Sequence, residues 1–300
     1  MPLALSVVVV AYEMARELPR TLRSLAPDYQ RGMDAGEYEV IVVDNGSVSP
    51  VDEEMLASFP GRLRHTRLAP APRSPAKAAN TGIEMARGAV VGLLIDGARL
   101  ASPGLLAQAM KAARLAERSV IATLAWHLGP ADHRDAEASG YDHASEDRLL
   151  EDCRWEDDGY QLFALSILAG ASRRGWFGPL GESNALFMPR SMWAELGGLD
   201  ERFALPGGGL VNSDLYYRAC GLDGVQLVVL LGEGTFHQIH GGASTSLQIT
   251  RAQVEAEYEA LRGHPHAAPT NEPLYFGRVP PTTLAHLEYS VKWAMRPRAR

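Results

Sequence analysis

Unbroken apolar runs, not alternating ones, mark the first hundred residues. Ser6–Ala11 is a valine stretch, Tyr38–Val43 is a second run of the same kind, and Ala89–Ile95 is a third. Runs of this length without alternation predict strands covered on both faces, as in a parallel sheet. Between them the spacing turns helical. Leu18, Leu22 and Leu25 recur within Ala15–Leu25, and Ile83 with Met85–Ala86 are the apolar positions of a helix over Lys77–Arg87 that Gly88 stops. Ser102-Pro103 is a cap with proline at the first helical position, and predicts a helix running to about Ser119. Strand and helix in strict alternation predict an α/β fold, an open and mostly parallel sheet flanked by helices. Such sheets bind ligands beyond the carboxyl ends of their strands.

The pattern loosens afterwards. Ala131–Trp155 is polar and acidic, Asp135 and Glu137 included, and predicts a loop and then a solvated helix that could cover a site. Tyr160–Ala169 reads as a helix, Ala185–Met188 as a strand, and Met192–Leu196 as a helix stopped by Gly197-Gly198. Asp214–Cys220 reads as a helix, Val225–Leu231 as a strand, and the Gly- and His-rich Gly232–Gly242 as a loop. Two closing helices are expected, at Thr250–Arg262 and about Thr282–Met295, before a basic end with Arg296, Arg298 and Arg300. The organisation expected is one domain over residues 1–245, in halves 1–125 and 126–245, with a helical extension over 246–300.

Composition mainly excludes. Of 300 residues, 46% are hydrophobic and 22% charged, which is ordinary globular usage and not that of a disordered chain. A formal net charge of −7 gives no concentrated basic face, so no nucleic-acid partner is expected. Cys153 and Cys220 are the only cysteines, too few for a disulfide scaffold or a cysteine-rich zinc module. No apolar run reaches the roughly 18–20 residues of a membrane helix. Leu3–Tyr12 lacks the basic start and small-residue cleavage site of a signal peptide, so a cytoplasmic chain is expected.

The chemistry collects at strand ends. Tyr12-Glu13, Asp44-Asn45 and Asp96-Gly97 each follow a buried strand. A single Asp there is an ordinary turn residue, but three polar clusters at neighbouring strand ends predict a polar ligand site. These segments resemble family 2 glycosyltransferases, which have the GT-A fold. Ser6–Glu13 followed by Leu18-Pro19-Arg20-Thr21-Leu22 is similar to the family's first strand and helix. Tyr38–Ser47 is similar to its second strand, Asn80-Thr81-Gly82 to the end of a helix motif, and Gly88–Asp96 to the strand leading into the DxD motif. Gly197–Phe203 resembles its Gly-Gly-Phe-Asp-Glu block.

The resemblance implies a Rossmann-like GT-A domain whose first half (1–125) binds a nucleotide-diphosphate sugar, most often a uridine diphosphate (UDP) sugar. Residues 126–245 would form the acceptor side. Ala11, Tyr12 and Glu13 would line the nucleoside, Asp44 and Asn45 would meet the base, and Lys77 or Arg73 the base or phosphates. Asn80 would support this wall, and Asp96, Gly97 and Ala98 would lie by the ribose and a divalent metal, Mn²⁺ or Mg²⁺. The acceptor would be a hydroxyl of a glycan, a lipid-linked sugar or a small molecule.

Three positions depart from the family pattern. The DxD motif reads Asp96-Gly97-Ala98, without its second carboxylate; Asn212 stands where the general base is expected; and Ala79 replaces an arginine. Either catalysis is lost, leaving a nucleotide-binding pseudoenzyme, or other residues supply it. His237 and His240, three residues apart after a strand, are candidates to complete a metal site with Asp96, since imidazole suits transition ions. Asp214 and then Glu182 are candidates for the base, Trp176 for a sugar-stacking platform, and Asn184 for an acceptor contact. A sugar nucleotidyltransferase is a further alternative, but Ala11–Arg16 has no glycine-rich phosphate loop.

Overall fold

The computed structural model describes residues 3–133, 140–241 and 249–296. Asp135, Glu137, Gly242, the 245/246 boundary, Arg298 and Arg300 lie outside them. Among the described residues one ten-stranded mixed sheet runs through the chain, with helices on both faces.

Three strands carry the valine-rich runs: β1 (Leu5–Ala11), β2 (Tyr38–Asp44) and, after β3 (Leu63–Arg67), β4 (Val90–Leu94). All residues of β1, β2 and β4 are buried. The two faces feed different cores, Val8, Val10, Ile41 and Val43 on one side and Val7, Val9, Val40 and Val42 on the other. That two-sided burial is why the sequence shows no alternation. The helices that cover them are α1 (Leu18–Ser24), the short α2 (Glu53–Ala57) and α3 (Ala76–Met85). Gly82 of α3 packs against Val8 and Val43 so closely that an added Cβ would collide with the Val8 side chain. The glycine of the Asn80-Thr81-Gly82 motif therefore sets the distance between helix and sheet.

The order β3-β2-β1-β4 is all parallel. It reverses direction of travel at β1/β4, the place where a crevice opens in a doubly wound sheet. Beyond β4 come β5 (Arg99–Ala101), α4 (Leu105–Ala112), β6 (Ser119–Leu128), α5 (His143–Cys153) and β7 (Ser166–Leu168). Then follow β8 (Ala185–Pro189), α6 (Arg190–Leu196), α7 (Val211–Cys220) and β9 (Gln226–His237). The chain closes with α8 (Arg251–Arg262), β10 (Leu274–Gly277) and α9 (Leu284–Ala294). β8 lies antiparallel between β4 and β6, and β9 runs parallel to β6 and β10.

Several elements differ from expectation. The helix expected to reach Ser119 ends at Ala112, and the next ten residues from Ser119 are the central strand β6. Tyr160–Ala169 is a 3₁₀ segment, Gly159–Leu165, leading into β7 and not an α-helix. The strand expected over Val225–Leu231 continues to His237, because Thr235–His237 pair with both β5 and β6. That extension carries His237 to the crevice.

Candidate active site

The site is built at the carboxyl ends of β1, β2 and β4, closed on the far side by the end of β9. Asp44 ends β2 in register with Ala11 of β1 and Arg67 of β3. Its Oδ1 accepts from the Ser47 amide at 2.8 Å and from Ser47 Oγ at 2.7 Å, and Ser47 Oγ in turn accepts from the Glu13 amide at 2.9 Å. Glu13 is held in the left-handed region, φ 53°, by this bond and by its carboxylate accepting from Val48 N–H. Such backbone at a strand end costs energy and is found where a site must be shaped. Buried Asp44 Oδ2 has no hydrogen-bond partner among the described residues, with Arg67 Nε 3.4 Å away. Asn45 donates to the Pro72 carbonyl at 3.0 Å, which fixes the loop 70–74 beside it. Tyr12, the residue after β1, is 53% exposed. Lys77 lines a pocket with Pro70, Ser74 and Glu201.

Asn80 is placed differently from a ligand contact. Its Oδ1 accepts from Leu199 N–H at 2.8 Å and its Nδ2 donates to Leu199 O at 2.9 Å and Glu201 Oε1 at 3.0 Å. The amide brackets the Gly197–Phe203 block to α3, and so acts as a strut of the wall.

Asp96, two residues beyond β4, is the centre of the arrangement. Its Oδ1 accepts from the Ala98 amide at 2.9 Å, and Thr21 Oγ1 donates to the Gly97 carbonyl at 2.6 Å. Its Oδ2 lies 2.8 Å from His237 Nε2 and 3.5 Å from His240 Nε2, and the two Nε2 atoms are 3.0 Å apart. Burial alone would raise the Asp96 carboxyl, but the His240 and His237 rings hold it well below the usual carboxylate range. Burial, reinforced by the Arg99 cation, pushes His237 well below the usual imidazole range; burial opposes protonation of His240 too, but Asp96 outweighs it and raises that ring.

These three donors fit a divalent ion. Ligands bound at about 2.1 Å in adjacent octahedral positions stand roughly 3 Å apart. Asp96 and His237 already favour the ionised and neutral forms a metal requires, and His240 would release its proton to the ion. Asp96, His237 and His240 are thus already gathered as a metal-ligand set.

Two groups at this centre were not singled out from the sequence. Arg99, 7% exposed, places Nη2 at 3.7 Å from Asp96 Oδ2 and interacts with the Glu182 carboxylate, while its Nε and Nη1 have no partner among the described residues. Its position directly after the truncated DxD motif, three residues from Asp96, was the available signal. Glu146 of α5 is the other. Its Oε2 accepts from Ile239 N–H at 2.8 Å, its Oε1 from Arg16 at 3.2 Å, and so it ties the acidic helix to the loop carrying His240.

Burial drives the Glu146 carboxyl up to about 7, although the Ile239 amide and Arg16 oppose the shift. A folded-state value above the unfolded one means that the native protein holds the proton longer. The stability from Glu146 is therefore complete below about pH 4.5 and is lost as pH rises to about 7. At about 1.4 kcal/mol per pH unit, that window bounds the loss at ~3 kcal/mol. Thermal unfolding across it should slope downward in the wild type and be flatter in Glu146→Gln.

On the acceptor side the structure corrects two expectations. Trp176 is 1% exposed, donates Nε1–H to the Leu230 carbonyl at 3.0 Å and packs on Trp126, so it is a core residue with no face for a sugar. Asp214 is 1% exposed and both its oxygens are taken, Oδ2 by Arg218 Nε at 2.8 Å and Arg262 Nη2 at 2.7 Å, Oδ1 by Arg262 Nε. Arg262 also reaches Asp200 at 2.9 Å. Asp214 therefore locks α8 onto α7 and has no oxygen directed at the crevice.

Glu182 is partly exposed. Its Oε2 accepts from Asn212 Nδ2 at 3.3 Å and Ser213 Oγ at 3.2 Å, and its Oε1 from Asn184 Nδ2 at 3.4 Å. Asn212, in the position where a base was expected, thus donates to a carboxylate that arrives from the segment before β8.

Comparison with known proteins agrees with the fold. Residues 6–134 match the family model described as glycosyl transferase family 2. The matched segment runs from β1 through β6, and so includes Asp44, Asp96 and Arg99. No curated protein matches the chain. Among solved structures, S. aureus TarS (11% identity, TM-score 0.53) covers 86% of this chain, which spans only 42% of TarS. A 1–349 form of TarS in complex with UDP-GlcNAc is 14% identical over 87% of this chain and 65% of that one, TM-score 0.53. The mannosyltransferase PcManGT from Pyrobaculum calidifontis, in complex with GDP-Man and Mn²⁺, is 16% identical over 98% of this chain and 72% of its own, TM-score 0.53. At these identities the likeness establishes the GT-A type of fold. No helix among the described residues is long and apolar enough to cross a membrane.

Proposed function

We propose that this chain transfers a sugar from a nucleotide-diphosphate sugar, a UDP-sugar in the first instance, to a hydroxyl acceptor, assisted by Mn²⁺ or Mg²⁺. The observation that carries the reading is the gathering of Asp96, His237 and His240 at the β1/β4 crevice of a chain whose residues 6–134 match family 2. PcManGT with GDP-Man and Mn²⁺, and TarS with UDP-GlcNAc, support a nucleotide-sugar donor.

In this reading Asp44 Oδ2 accepts from a ring N–H of the base, and Tyr12 and Lys77 border the nucleoside. A divalent ion held by Asp96, His237 and His240 would neutralise charge on the leaving diphosphate. Arg99 adds a fixed positive charge behind the same carboxylate. Glu182 takes the proton from the acceptor hydroxyl as its oxygen bonds to the anomeric carbon and the sugar–diphosphate bond breaks. Asn212 and Ser213 orient that carboxylate.

A thermal-shift screen of UDP, GDP and their sugars, with and without Mn²⁺, tests the reading. A ligand at 100 times its Kd stabilises the fold by about 2.7 kcal/mol, roughly 4 °C for a chain of this size. A metal-dependent shift with UDP-sugars is expected. A shift with GDP-sugars alone would change the donor, and no shift with any nucleotide would end the proposal. Binding without transfer or hydrolysis would leave a pseudoenzyme, the reading that Ala98 and Asn212 favour.

A further inference from the structure

His237 faces a second cluster on its other side. His127, paired in register with His237 across β6 and β9, and His133 bring ring nitrogens within 4.8 Å of one another and of His237. The His127 and His133 rings stack at 4.4 Å, and their centroids lie 5.4 and 5.2 Å from that of His237.

The hydrogen bonds already select the nitrogens. His133 Nε2–H has the Leu128 carbonyl at 3.0 Å, and its buried Nδ1 has no partner among the described residues. His237 Nε2–H has Asp96 Oδ2 at 2.8 Å, and its buried Nδ1 likewise has none. In both rings the outer N–H is fixed by an oxygen acceptor while the inner nitrogen is left as a buried lone pair. A metal-binding histidine is oriented in this way, by a carboxylate or a carbonyl behind it.

We propose that His127, His133 and His237 form a second metal site, distinct from the Asp96 site, that takes a transition ion preferring imidazole, such as Zn²⁺. His127 Nδ1 accepts from the His133 amide at 3.1 Å and would exchange that bond for the ion. With that exchange, small rotations bring the three nitrogens to the ~3.4 Å separation of tetrahedral ligands held at about 2.1 Å. The absence of a carboxylate in this set disfavours Mg²⁺ and favours Zn²⁺ or Cu²⁺. A neutral imidazole has one lone pair. When Nδ1 of His237 binds this ion, its Nε2 carries the proton and is withdrawn from the Asp96 site. The two sites are therefore alternatives, and Zn²⁺ opposes the binding of Mn²⁺ between Asp96 and His240.

Calorimetric titration of the full chain with Zn²⁺ alone, and with Co²⁺ followed by its visible spectrum, tests the site without any nucleotide, so its outcome is independent of the donor reading. One Zn²⁺ is expected at this site, with the intense Co²⁺ bands of a tetrahedral centre. His133→Gln and His127→Gln should each weaken Zn²⁺ at least about tenfold with unchanged folding by circular dichroism, and His133→Gln should leave Mn²⁺ binding intact. Asp96→Asn and His240→Ala should weaken Zn²⁺ less than His133→Gln does. Loss of Zn²⁺ in His240→Ala with retention in His133→Gln would place the ion at Asp96 and overturn the proposal. Equal loss in all four folded variants, or no Zn²⁺ binding by the wild type, would also overturn it.

Discussion

Exchanging Asp96 for asparagine is expected to weaken Mn²⁺ binding at least about 100-fold and to remove the metal-dependent part of nucleotide binding. Asp96 is the only carboxylate in its ligand set, and its Oδ2 is the atom both imidazoles face. An amide brings no charge and turns one of its two ends into a donor. It also leaves the Arg99 guanidinium, 3.7 Å away, with Glu182 as its remaining counter-charge, so the local field would repel the ion. Titration of wild type and Asp96→Asn with Mn²⁺, each with and without UDP, measures both effects. Unchanged affinity would mean that the ion binds away from the β4 end.

In the proposed site, other groups would stand in for the second carboxylate of a DxD motif. Ala98 is fully buried. Its amide orients Asp96, and its carbonyl accepts from Gln238 N–H at 2.8 Å. The residue that would carry the missing ligand instead ties the end of β4 to the loop after β9, and the last residue of β9 and that loop bring one imidazole each, His237 and His240. In the proposed metal site the donors come from the ends of two strands, β4 and β9.

The same geometry decides what the sequence could reveal. β1, β2 and β4 were legible because burial on both faces writes an uninterrupted apolar run into each. β3 was not, because its half-exposed edge is Leu-Arg-His-Thr-Arg and carries no such run. β6 was not, because it follows closely on the Ala-rich α4 and mixes Ala122, Leu124 and Ala125 among its residues, with no unbroken β-branched run to mark it. Asp96, His237 and His240 were legible as residue types at strand ends. Arg99 was hidden by proximity to a motif read only for its carboxylates. His127 and His133 were hidden by distance, since only the β6–β9 pairing brings them to His237 from 110 and 104 residues away. Asp214 misled because a carboxylate next to the expected base position looks catalytic until its two arginines are seen.

Those arginines separate the two candidate bases by experiment. Glu182→Gln is expected to lower kcat by about 10²–10⁴, the usual share of a general base, with donor affinity changed less than about threefold. The side chain keeps its shape and one acceptor for Asn212, but it cannot take a proton at neutral pH. Asp214→Asn is expected to do the opposite. Neutralising it leaves Arg262 and Arg218 facing each other across an amide, and breaking such a buried pair costs about 3 kcal/mol. For this chain that is a loss of several degrees in Tm, while turnover per folded molecule stays within a few-fold. Steady-state kinetics and thermal unfolding on both variants settle the assignment. If Asp214→Asn loses kcat at constant Tm while Glu182→Gln turns over normally, the proton goes to Asp214, and the clamp seen here must open when acceptor binds.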